Sequence, residues 1–333
     1  MNKFLFLSLI GLSILLYSAQ TEIIGLGSIR APKGWPEPVY NRPVTDAGFV
    51  LGKKLFYDPN LSRDGSVSCA SCHLSFTGFT HVDHAVSHGI DDRIGTRNSP
   101  VLINLAWNSS FHWDGGVNHL EMQMINPIEH PNEMDNTMKN VVAYLNNSPE
   151  YRKMFFKAFG DSIVNMPNTL RAFGQFTASL ISSNSIYDQV KRKELEFSSQ
   201  EKHGYRLFRK NCAECHREPL FNSNEFASNG LPIDTNYNDV GRFLITNIDS
   251  DSMQFRIPTL RNIEFSRPYM HDGRFGTLRE VLDHYTQIDV TKSHLSKPLK
   301  KPIILSDNDK KDLISFLKTL TDKEFLYNPR FRP

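Results

Sequence analysis

Cys69-Ala-Ser-Cys72-His73 and Cys212-Ala-Glu-Cys215-His216 hold all four cysteines of the chain, each pair in the same Cys-x-x-Cys-His spacing. In this motif the two thiols add across the vinyl groups of a haem. The adjacent histidine then falls beneath the iron, a placement that one helical turn supplies. The spacing therefore predicts two covalently bound haem c groups. Three other readings of the cysteines compete. Two local disulfides would close loops too short to constrain the unfolded chain, and they leave His73 and His216 without a role. One zinc site of four thiolates needs no histidine at a fixed place in each motif. A thioredoxin-type redox pair needs a βαβ setting, whereas the flanks here read as helical.

Outward from the motifs the chain repeats itself. Gly52-Lys-Lys-Leu-Phe56 precedes the first motif and Gly204-Tyr-Arg-Leu-Phe208 the second; downstream, Pro100, Leu102, Asn104, Asp114 and Gly115 keep the mutual offsets of Pro258, Leu260, Asn262, Asp272 and Gly273. That register predicts two cytochrome c-like haem domains related by an internal repeat. Ser198-Ser-Gln-Glu201 is a capping box that starts the helix feeding the second motif, so the domains are read as residues 20–195 and 196–333. Thr45-Asp46 opens a helix with Ala47, Val50, Leu51 and Leu55 on one face, and further helices are predicted over Met138–Leu145 and Leu170–Ile186. The stretch Gly78–Asn98 is too irregular for a helix and is expected to fold over a haem edge. Strand signals are few, so the class is mainly α.

A chain of 333 residues with 39% hydrophobic and 22% charged side chains is globular in composition and long enough for two domains, which excludes disordered, collagenous and coiled-coil classes. Thirty-eight Lys and Arg against 36 Asp and Glu leave a formal charge of +2, no electrostatic basis for a nucleic-acid or anionic-membrane partner. Residues 1–19 carry one cation, Lys3, and an apolar run from Phe4 to Tyr17. This reads as a secretory signal cleaved near Ala19 or Gln20, since the run is shorter than the roughly 20 residues of a membrane span. Export to the periplasm follows.

The chemistry of a haem protein depends on the sixth ligand of each iron. Carried forward from Pro258 the repeat register reaches Tyr285; carried forward equally from Pro100 it reaches Pro127. Tyr ligates ferric iron through its phenolate, and Pro has no donor, so the register predicts a closed second haem and an open first one. Tyr285 sits on a helix opened by the capping box Thr277-Leu-Arg-Glu280. Periodicity alone fits a half-buried aromatic there equally well; Met270 and His271 are rival ligands and His284 a more distant one. Near the first haem, Gln123, Glu129 and Glu133 follow Trp113. A carboxylate over an open haem takes a proton from the near oxygen of peroxide and returns it to the far one, making water the leaving group; spacing does not separate Glu129 from Glu133. His81, His84 and His88 cluster after the first motif, within reach of a surface or ligand role.

The paired motifs, Arg97-Asn-Ser-Pro100, Trp113-Asp-Gly115, and Pro258-Thr-Leu-Arg-Asn262 leading to Pro268-Tyr-Met-His-Asp-Gly273 together resemble the bacterial di-haem cytochrome c peroxidase and MauG superfamily over nearly all of the mature chain. The resemblance implies that the N-terminal haem, with His73 proximal, is peroxidatic and that the C-terminal haem, with His216 proximal, transfers electrons. It implies that Trp113 relays electrons between them, that Gln123 and Glu133 are the distal polar pair, and that Asn98, Ser266 and Pro268 hold a Ca²⁺ ion through hard oxygen donors. Tyr285 stands where the standard peroxidases carry a Met ligand, as in the MauG-like branch, and His88 matches the removable distal histidine of the reductively activated peroxidases.

The resulting expectation is a peroxidase that reduces hydrogen peroxide to water with electrons from a small c-type cytochrome or cupredoxin, in a family where homodimers are common. Two alternatives stand beside it: a MauG-like, peroxide-dependent oxidase of a protein or small molecule, and a di-haem electron carrier without catalysis.

Overall fold

Thr45 caps the first long helix, its Oγ accepting a 3.0 Å hydrogen bond from Gly48 N, and the other helices start by the same device. They are α1 (Asp46–Tyr57), α2 (Met138–Asn147), α3 (Pro149–Phe159), α4 (Met166–Ala178), α5 (Ser199–Asn211), α6 (Leu278–Gln287) and α7 (Asp307–Lys318). Ser198 with Glu201, Thr277 with Glu280 and Ser306 with Asp309 form capping boxes, each satisfying first-turn donors that lack an intrahelical partner. The computed structural model describes residues 27–333, and the chain is mainly helical over them. The predicted secretory signal lies outside the described residues. The sheet among them is one antiparallel pair, β1 (Phe226–Ala227) and β2 (Phe255–Arg256), with Phe226 opposite Arg256.

The helix expected over residues 170–186 begins earlier and stops at Ala178. Asn104 claims the backbone beyond it: Asn104 N donates to Leu180 O (2.8 Å), and the Asn104 amide exchanges hydrogen bonds with both Ser182 N and Ser182 O. The chain is held extended until Ser185 caps a new short helix, Ile186–Lys191.

Two glycines allow the closest helix crossings. A Cβ on Gly52 of α1 would overlap the Ala172 carbonyl of α4, and one on Gly204 of α5 would overlap the Asp312 carbonyl of α7. Beside each crossing sits a trio of phenylalanines. Phe56 lies 5.7 Å from Phe79 and 5.1 Å from Phe176; Phe208 lies 5.3 Å from Phe221 and 5.2 Å from Phe316. The apolar side chains form two cores that exchange segments. The first gathers α1 to α4 and also takes Phe325, Leu326 and Phe331 from the end of the chain, while the second takes Tyr187 from before residue 195. Tyr57 donates to Phe331 O (2.6 Å) and Lys53 to Arg330 O (3.0 Å), fastening that last segment to α1.

Candidate haem sites

Each phenylalanine trio backs onto one Cys-x-x-Cys-His motif. His73 Nδ1 lies 2.7 Å from Phe79 O; His216 Nδ1 lies 3.2 Å from Phe221 O and 3.1 Å from Pro258 O. A carbonyl accepts only from a protonated nitrogen, so in both rings Nδ1 carries the hydrogen and Nε2 keeps its lone pair for a metal. Burial pushes the His73 pKa down to about 4 and lowers that of His216, holding both rings neutral. The thiols open into two different cavities, one of about 470 Å³ bordered by Cys69, Cys72 and His73 and one of about 220 Å³ bordered by Cys212, Cys215 and His216. A single four-thiolate site is therefore ruled out, and no disulfide forms among the described residues.

The two cavities share a wall. Trp113, Asn98, Ser99 and Pro100 border both. Trp113 is 8% exposed and donates from Nε1 to Asn98 O (2.7 Å), while Asn98 N donates to His271 O (2.7 Å) and Asn98 Nδ2 to Ala85 O (2.9 Å). Arg97 clamps the same wall from one side, pairing with both oxygens of Asp239 (2.6 and 2.8 Å) and with Asp114. The Trp113 indole is thus held in the wall between the two cavities.

Gln123, Glu133 and His88 border the first cavity. Gln123 Oε1 is buried without a hydrogen-bond partner, an orphan that a bound ligand or water would satisfy. Burial raises the Glu133 carboxyl pKa, with His130 pulling the other way. Glu129, which spacing alone left equal to Glu133, is spent elsewhere: its Oε1 accepts from Met138 N (3.2 Å) at the start of α2. The irregular loop carrying His88 is pinned against Glu133 by the 2.8 Å bond from Ile90 N to Glu133 O, and a Cβ on Gly89 would overlap that backbone. The His88 ring stacks on His84 at 4.0 Å and His84 on His81 at 4.8 Å.

Tyr285, Met270 and His271 border the second cavity together with Ser266 and Pro268. Burial pushes the Tyr285 phenol up to about 12. Asn229 organises this group, donating to Met270 Sδ (3.3 Å) and accepting at its carbonyl from His284 Nε2 (3.0 Å). His284 is thus turned to backbone rather than to the cavity, and His271 stacks on Phe255 at 3.7 Å. Sequence reasoning passed over Arg256, a buried arginine on β2 bordering the second cavity, and His112, whose Nε2 is enclosed without a partner. The only signal for Arg256 is a full charge one step before the apolar Ile257-Pro258.

Two Cys pairs, two tautomer-fixed histidines and the unpartnered Gln123 and His112 at the first cavity fit a covalent di-haem c-type cytochrome with unequal haem pockets. The chain belongs to the di-haem cytochrome c peroxidase and MauG family. Residues 46–196 match the family model described as di-haem cytochrome c peroxidase. The chain is 36% identical to the methylamine utilization protein MauG of Methylorubrum extorquens over 91% of its own length and 86% of that protein's. It is 32% identical to the cytochrome c551 peroxidase of Nitrosomonas europaea over 81% of its own length and 79% of that protein's. Among solved structures, a MauG-like protein associated with microbial copper homeostasis superposes with a TM-score of 0.81 at 31% identity, covering 90% of this chain and 97% of the other.

Proposed function

We propose that the protein is a peroxidase that converts hydrogen peroxide, two electrons and two protons into two molecules of water, the electrons coming from a small c-type cytochrome or cupredoxin. Bound haem supplies the electron storage and the cleavage of the O–O bond. The first would be attached to Cys69 and Cys72 with His73 proximal, the second to Cys212 and Cys215 with His216 proximal. Glu133 moves the proton: as a carboxylate it takes it from the near oxygen of peroxide and delivers it to the far one. Gln123 orients the oxidant by hydrogen bonding. Trp113 would carry electrons across the shared wall; Tyr285 would hold the second haem through its phenol oxygen, and His88 would be a removable donor to the first.

The observation that carries this reading is the inequality of the cavities, an amide and a carboxyl bordering one and a phenol bordering the other. The parallel crossings at Gly52 and Gly204 and the paired phenylalanine trios support two haem domains related by an internal repeat, residues 20–195 and 196–333, with their terminal segments exchanged. Asn98, Ser266 and Pro268, which border one cavity, are the proposed oxygen donors to Ca²⁺. We place the protein in the periplasm on its N-terminal signal; no helix among the described residues is long and apolar enough to cross a membrane. Tyr285 favours one second reading, a MauG-like oxidation of a protein or small molecule by peroxide. Reacting the diferric protein with peroxide alone separates the two. Peroxide consumption that depends on added reduced cytochrome or cupredoxin supports the peroxidase; a long-lived oxidised state formed without prior reduction supports the oxidase.

A further inference from the structure

Among the described residues, Arg256 is a buried charge without an ion pair. It is 6% exposed, and burial alone, with no carboxylate opposing it, pushes its pKa down to about 10. A guanidinium enclosed without a counter-charge is strongly disfavoured. Its backbone and one side-chain donor are committed: Arg256 N donates to Trp113 O (2.7 Å) and Nε to His112 O (3.2 Å). The remaining donors of the fork have no protein acceptor, and the side chain borders the second cavity with Cys212, Cys215, His216 and Tyr285. The one carboxylate bordering that cavity, Glu214, is exposed and makes no ion pair with it. The anion that balances Arg256 must therefore arrive with whatever fills the space.

We propose that Arg256 is a positioning residue that pairs with a carboxylate of the group in the second cavity, a haem propionate, and ties that carboxylate to the Trp113 backbone. The inference rests on the reading of this cavity as a haem site and adds to it a fixed link between the second haem and the relay. Planar guanidinium suits the role because it presents parallel donors to a carboxylate while its Nε holds the His112 carbonyl. A fixed cation beside a haem favours the ferrous state, which carries one electron more, so removing it disfavours reduction.

The test is the redox titration of the holoprotein and its Arg256→Gln and Arg256→Lys variants, each haem followed by its own optical and paramagnetic signature. In Arg256→Gln the midpoint potential of the second haem is expected to shift downward while that of the first stays put, and Arg256→Lys is expected to recover most of the shift. Selective loss of the second haem in the Gln variant, with retention in the Lys variant, is the same result read at the level of incorporation. Unchanged potentials, equal shifts at both haems, or loss of both haems in both variants would overturn the proposal. Haem counting by mass spectrometry tests the parent reading separately, since two haems per chain with unmoved potentials would refute only the role of Arg256.

Discussion

Replacing Glu133 by Gln keeps the shape of the side chain and removes its ability to exchange a proton. The first cavity is bordered by three carboxylates, Asp114, Glu133 and Asp239. Arg97 holds Asp114 and Asp239, and Glu129 caps α2, so no other free carboxylate stands in for Glu133. General acid–base groups contribute about 10²- to 10⁴-fold. Without a substitute the loss should fall toward the upper end, about 10³- to 10⁴-fold, or roughly 4 to 5.5 kcal/mol of barrier at about 1.4 kcal/mol per tenfold. The pH dependence has a defined sign. Burial raises the Glu133 pKa above the ordinary carboxylate value, and the ionised form is the one that accepts the first proton. Activity therefore falls as pH drops through that raised value, and this acid limb should vanish in Glu133→Gln. Stopped-flow measurement of peroxide reaction across pH, with haem content checked by absorbance, decides the matter. A variant within about threefold of the parent, or one that keeps the acid limb, would refute the assignment.

Tyr285→Phe is expected to change the spectrum of one haem, the one attached to Cys212 and Cys215; an unchanged spectrum would move the ligand to Met270. Gly204→Ala should destabilise the second core by about 1–3 kcal/mol, the usual range for forced overpacking, because its methyl group meets the Asp312 carbonyl; denaturant unfolding followed at the second haem reads this out. Phe331→Ala should cost about 3–5 kcal/mol and disturb the first haem rather than the second. The reason is that Phe331 packs 6.4 Å from Phe79, whose carbonyl holds His73. A spectral change at the second haem instead would show that the last segment does not support the first pocket.

What the sequence reveals here is local chemistry with short-range geometry. The Cys-x-x-Cys-His motifs, the caps at Thr45, Ser198 and Thr277, and the register leading to Tyr285 all depend on spacings of a few residues or on one repeated offset, and they are legible without coordinates. Long-range agreements are not. Helix α4 ends at Ala178 because Asn104 captures Leu180 and Ser182, and nothing in residues 170–186 announces that partner. Phe325, Leu326 and Phe331 look like the tail of the second half yet pack in the first core, since apolar side chains bury wherever the chain can carry them. Glu129 and Glu133 are equal by spacing, and only the hydrogen bond to Met138 separates a helix cap from a cavity carboxyl. Arg256 was missed for the same reason: an arginine in sequence is ordinary, whereas an arginine without an anion is visible only once its surroundings are known.

The measurement that tests the account most directly is cyanide binding, followed by electron paramagnetic resonance, in the parent and in a Cys212→Ala/Cys215→Ala variant that lacks the second haem, each poised by controlled reduction. One iron of the parent is expected to take cyanide, and the variant is expected to keep this binding. Binding at neither iron, or its disappearance along with the second haem, would contradict the claim that the free coordination face lies above His73.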